Sequence, residues 1–137
     1  MAATTLNLAF VMDPIEGVSV YEDTTFALML EAQRRGHRVY YVDPYSLGVR
    51  RGGAEAVVTP VTLRREPGNH VERGDSQRVL LDEAVDVAFQ RKDPPVDADY
   101  TIATQILALC RRTVVLNRPS SLLAYNEKLF ALQFRDL

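Results

Sequence analysis

The chain has 137 residues, of which 47% are hydrophobic and 25% charged, the proportions of a globular domain rather than a disordered or fibrous one. That length suits one domain whose core needs no covalent staples, and the one cysteine, Cys110, excludes an internal disulfide framework and fits a reducing compartment. Sixteen basic and eighteen acidic residues leave a net charge of −2, which offers a nucleic acid nothing to bind; no apolar run approaches the ~20 residues of a membrane span, and no basic segment opens a secretory signal.

Leu6–Met12 is a short apolar run stopped by Asp13-Pro14, the pattern of a buried strand ending in a turn. Thr25–Arg35 is rich in helix formers, with Asp23 or Thr24 available as N-cap and Gly36 where a left-handed C-terminal residue belongs. His37–Val42 follows as a β-branched and aromatic strand. Strand, helix, strand is the opening of a parallel α/β sheet with a right-handed crossover.

Residues 50–84 break that rhythm. Ala54–Arg65 reads as extended, Glu66-Pro67-Gly68-Asn69 as a type II turn, His70–Arg73 as a return strand and 74–76 as loop. The expectation is an antiparallel hairpin excursion, either a projecting arm or a sheet edge. Val85–Gln90 resumes the buried-strand pattern. Asp97 caps the next helix, with an apolar stripe at Ile102, Ala103, Ile106 and Cys110. Thr113–Leu116 is a further strand, Pro119 suits a first helical position, and helices are expected over Ser120–Tyr125 and Glu127–Arg135. The resulting fold class is α/β, a three-layer parallel sheet with a hairpin excursion. The expected division is 1–119 as the main domain and 120–137 as a helical connection.

Ligands of open parallel sheets collect at the carboxyl ends of the strands. Three polar clusters stand at such ends: Asp13, Arg91-Lys92-Asp93 and Asn117-Arg118. Arg91 is the sharpest candidate, because a Pro94-Pro95 stop fixes the backbone beside it and its guanidinium suits bidentate binding of a carboxylate or phosphate. On position alone, Arg91 and Asp93 are equally open to pairing with neighbours, Asp13 to serving a turn, and Lys128 to being a solvated helix lysine. Cys110 reads as a core residue, and His37 and His70 lack metal-ligand spacing, so no metal site is assigned. The first turn, Asp13 to Gly17, holds a single glycine, which disfavours a dinucleotide site, and all seven glycines lie at or before Gly74. The terminal segment, with Leu129, Phe130, Leu132, Phe134 and Leu137, is apolar enough to expect burial on more than one side, either against a further domain beyond it or by docking into this domain's own sheet.

Four segments occur in a telling order: Phe10-Val11-Met12-Asp13-Pro14, then Phe26 to Gly36, then Arg91-Lys92-Asp93-Pro94-Pro95, then Asn126-Glu127-Lys128-Leu129-Phe130, with Asn117–Leu122 before the last. Together they resemble the N-terminal domain of bacterial glutathione synthetase, an ATP-grasp ligase. The resemblance covers about residues 7–49 and 85–137, and 50–84 only loosely. It implies a Rossmann-like (pre-ATP-grasp) fold. It also implies a cytoplasmic homo-oligomeric enzyme joining γ-glutamylcysteine to glycine, with ATP and Mg²⁺, through an acyl phosphate.

Under that resemblance Arg91 binds the dipeptide through a carboxylate, Asp13 lines the same site, and Lys128 reaches the ATP phosphates. The ATP-grasp fold, its glycine-rich lid and the Mg²⁺ ligands would all follow Leu137, so no catalytic residue is assigned within these residues and the isolated chain is expected to be inactive. The competing reading is a stand-alone α/β small-molecule-binding or regulatory module. A downstream ATP-grasp region in the reading frame would decide for the ligase.

Overall fold

The computed structural model describes residues 4–126 and 128–134. β1 (Asn7–Val11) leads through a 3-10 turn (Ile15–Gly17) to α1 (Thr24–Arg34) and β2 (Arg38–Val42). A second 3-10 turn (Pro44–Ser46) precedes β3 (Gly48–Arg50), the long β4 (Gly53–Leu63), β5 (Val71–Arg73) and β6 (Gln77–Leu80). A single helical turn, α2 (Leu81–Ala84), feeds β7 (Val87–Gln90), α3 (Ala98–Leu107), β8 (Val114–Leu116), α4 (Pro119–Ala124) and a last 3-10 turn (Phe130–Gln133).

The first helix begins and ends where its sequence says it should. The Asp23 carboxylate accepts the N–H of Phe26 at 2.7 Å. Gly36 sits at φ +82°, and the N–H groups of Gly36 and His37 donate to the carbonyls of Gln33 and Ala32, the crossed pair that closes a Schellman end. The chain then turns straight into β2, parallel to β1 with Asn7 opposite Arg38 and Val11 opposite Val42. On the other side of β1 lies β7, followed by β8, both parallel.

Strand alternation on β1 divides the core between the two faces of the sheet. Leu8 and Phe10 pack with Ile15, Phe26 and Met29 on the α1 side, while Ala9 and Val11 pack with Leu81, Ala88 and Leu107 on the α2–α3 side. Phe10 stacks on Phe89 with ring centroids 4.6 Å apart. The expected three-layer α/β architecture is therefore present. Phe26 and Met29 are fully buried and serve this domain's own core, while Leu28 on the same helix is exposed.

The stretch 50–84 is an edge and not an arm. β4 pairs antiparallel with β2 and β3 on one side and with β5 and β6 on the other, as shown by Val58, which is registered with both Val42 and Gln77. β2 and β3 run along β4 as one line broken by the turn at Pro44–Ser46, and β5 and β6 as another broken at residues 74–76. At the second break the Gly74 N–H donates to the Pro60 carbonyl at 2.8 Å, and a Cβ on Gly74 would meet Pro60 Cγ at 2.9 Å. The turn at Glu66–Asn69 is as expected: Gly68 has φ +79° and the Asn69 N–H reaches the Glu66 carbonyl at 3.0 Å.

Several expectations are corrected. Of the expected α3 stripe Ala103 is buried and Ile106 and Cys110 pack at the margin of the same core, Cys110 from past the helix end, but the fully buried face adds Thr104 and Leu107, and Ile102 is 54% exposed. The strand expected from Val85 begins at Val87, because Leu81–Ala84 forms a helical turn closed by the Val85 N–H on the Leu81 carbonyl. The helix expected over Glu127–Arg135 is, in its described part, the 3-10 turn Phe130–Gln133; Glu127 and Arg135 lie outside the described residues. Leu129, Leu132 and Phe134 are each more than half exposed, so no apolar face is buried there to hold a longer helix.

Candidate functional site

At the carboxyl ends of β1 and β7 the chain opens a cleft of about 600 Å³. Its walls are the β1–α1 loop (Asp13, Pro14, Gly17 to Ser19, Glu22 and Asp23), Thr25 from the first turn of α1, and Arg91 and Asp93 after β7. The strand-end rule thus brings Asp13 and Arg91 into one site.

Each polar wall residue is held by a specific contact. Arg91 continues the β1–β7 pairing, its N–H donating to the Val11 carbonyl at 2.8 Å. Its Nε donates to Thr25 Oγ1 at 2.9 Å, which turns the guanidinium toward the N-terminus of α1. Among the described residues no carboxylate lies within ion-pair distance of this half-buried cation. Asp13 accepts the Asp93 N–H at 2.9 Å and so ties the two strand-end loops together.

Beneath Arg91, the buried Gln90 donates from Nε2 to Thr104 Oγ1 at 2.9 Å, and Thr104 donates in turn to the Tyr100 carbonyl. The turn after β7 is therefore fixed from below by α3. One arginine and four carboxylates (Asp13, Glu22, Asp23 and Asp93) line the cleft. Such a set suits a zwitterion, with its carboxylate on the guanidinium and its ammonium among the acids.

Glu16, on the outer side of the β1–α1 loop, shows a carboxyl pKa below the usual range. Partial burial works against that, but hydrogen bonds from Arg73 and a backbone N–H, and the charge of Arg73, outweigh it. Thr25, Gln90 and Thr104 were not singled out from the sequence; each reads there as an ordinary helix or strand residue. A polar residue inside an otherwise buried strand or helix face, as at Gln90 and Thr104, was the available signal.

Lys128 lies apart from the cleft lining. It is exposed in a turn where the Asn126 side chain accepts the N–H groups of Lys128 and Leu129. Among the described residues no group of three His, Cys, Asp or Glu side chains is placed to hold a metal ion, so these residues do not by themselves fit Mg²⁺. Nor is any described helix long and apolar enough to cross a membrane.

A mixed sheet, parallel through β2, β1, β7 and β8 and antiparallel around β4, with helices on both faces and a charged cleft at the strand ends, defines a Rossmann-like α/β domain. The family model for the prokaryotic glutathione synthetase N-terminal domain matches residues 6–122, and the chain belongs to that family. Over 131 residues it is 43% identical to the glutathione synthetase of Xanthomonas axonopodis pv. citri, covering 94% of this chain and 41% of that one. It is 39% identical over 134 residues to the glutathione synthetase of Vibrio parahaemolyticus, covering 96% and 42%. The chain thus spans about two-fifths of the length of these curated relatives.

Proposed function

We propose that this chain is the dipeptide-side domain of a glutathione synthetase. In the complete enzyme γ-glutamylcysteine and glycine are joined at the expense of ATP, through an acyl phosphate, with Mg²⁺. The observation that carries the reading is Arg91: an oriented, half-buried guanidinium at a strand end, with no carboxylate in ion-pair distance among the described residues, inside a cleft whose other charged side chains are acids. Its role is to bind a carboxylate of the dipeptide, while Asp13 holds the two loops in register and borders the same site.

ATP, when bound, supplies the activation of the acyl carboxyl group. The described residues contribute binding and orientation, and Lys128, exposed in a turn, is the residue that would hold the ATP phosphates. Sequence kinship supports the assignment, as do the cleft's charges. The single free cysteine fits a cytoplasmic reaction. The homo-oligomer belongs to the complete enzyme.

The test is Arg91→Ala in the complete enzyme. Losing a charge-assisted contact is worth about 1.5–3 kcal/mol, so KM for γ-glutamylcysteine should rise about tenfold to hundredfold while KM for ATP stays put. An unchanged dipeptide KM overturns the assignment. Lys128→Ala should show the reverse split, raising KM for ATP. The isolated 137-residue chain should make no glutathione from its precursors.

A further inference from the structure

The β1–α1 loop supplies most of the cleft wall, and beyond its tie through Asp13 at the strand ends it is held from outside the parallel strands. Three contacts reach it from the β4–β5 hairpin, a region to which the family motifs assign nothing. His70, 6% exposed, donates from Nε2 to the Ile15 carbonyl at 2.8 Å. The carbonyl only accepts, so a proton sits on Nε2, and Nδ1 is buried with no hydrogen-bond partner among the described residues. The ring also meets Phe26 edge to face at 5.6 Å. Arg73 pairs with Glu16 at 2.7 Å while its guanidinium lies over the Tyr41 ring. Arg65 donates to the Val20 carbonyl at 2.7 Å.

The hairpin is itself anchored to α1. The Gln33 side-chain amide both donates to the Leu63 carbonyl, at 2.9 Å, and accepts the Leu63 N–H, at 2.7 Å, as a neighbouring peptide would. The loop therefore spans from β1 to α1 under a strap fixed at both its ends. Between the strapped residues Ile15, Glu16 and Val20 lie Gly17, Val18 and Ser19, all of which line the cleft.

We propose that the β4–β5 hairpin is the positioning element of the dipeptide site, with His70 as its central positioning residue. This rests on the reading of the cleft given above. A buried histidine spending its Nε2 donor on a loop carbonyl, with no partner for its other nitrogen among the described residues, is a costly way to fill a core; it is a direct way to fix a loop.

Two measurements test it. His70→Phe keeps the ring beside Phe26 and removes the donor, while His70→Gln keeps a donor. In His70→Phe, amide exchange at Gly17, Val18, Glu22 and Asp23 should accelerate about tenfold, the factor a single ordinary hydrogen bond represents, with β1 and β4 unchanged. In the complete enzyme KM for γ-glutamylcysteine should rise with kcat and KM for ATP nearly unchanged, and His70→Gln should restore both readouts. Unchanged loop exchange in His70→Phe overturns the proposal. So does an unchanged dipeptide KM in an enzyme whose Arg91→Ala form shows the expected rise. If Arg91→Ala itself leaves that KM unaltered, it is the substrate reading that falls, and the exchange data still decide whether the strap holds the loop.

Discussion

Asp82 shows how much one carboxylate fixes. Its oxygens accept the N–H groups of Arg111, Arg112 and Thr113 at 2.8 to 3.1 Å, binding the loop that leads into β8. Burial raises its pKa, but these backbone donors more than compensate, so the folded value lies below the ordinary 3.8. A depressed carboxylate contributes stability above its unfolded pKa and loses it as pH falls through the folded one. Asp82→Ala should cost about 1–3 kcal/mol in denaturant unfolding at pH 7, and the deficit should shrink as pH falls through the folded pKa. Cys110 is the opposite case. Burial, with Asp82 adding to it, pushes its thiol up to about 12, so native protein at pH 8 should react with iodoacetamide far more slowly than unfolded protein. At this scale Arg91 and Asp13 were legible because strand ends are readable and charged residues there are conspicuous. Thr25 was not, since its function is visible only once Arg91 arrives 66 positions later in the chain.

Among the elements, α1 was the most legible, because every signal there agrees: cap, helix formers and terminal glycine. Asp23→Ala should cost about 1 kcal/mol, and Gly36→Ala about 1–2 kcal/mol because Gly36 stands at φ +82°, both measured by urea unfolding. The face of α3 was legible only in part because Thr104 does not look like a core residue. Its hydroxyl is satisfied on both sides, by Gln90 and by the Tyr100 carbonyl, and a satisfied hydroxyl is buried at little cost. β3 and β6 were missed because short strands carry too little alternation to read. They exist because β4 offers both its edges, a property of the assembled sheet. The terminal segment reads as a helix for a related reason: density of apolar residues signals burial, yet does not say which backbone conformation the segment takes while those residues stand exposed.

At the scale of the molecule, β1 divides the two apolar layers and belongs to both. Phe10→Ala on one face should cost about 3–5 kcal/mol and Leu107→Ala on the other about 2–5 kcal/mol, both shifting a single cooperative unfolding transition. Two separate transitions in either variant would show that the layers fold independently. The parallel centre was readable from strand, helix, strand. The cleft was readable only in outline, because the sequence places Asp13 and Arg91 at strand ends without saying which ends are neighbours. β7 lies directly beside β1, and that adjacency makes one site of two motifs.

The two broken lines flanking β4 have a consequence for the molecule's behaviour in company. The outer border of the sheet offers a foreign chain three residues at β5, a displaced break held against Pro60, then four residues at β6. β8 at the far border offers three. Among the described residues, neither border is an unbroken row of backbone long enough to template a growing fibril, and so a sheet that is open at both ends is poorly suited to recruit its own kind.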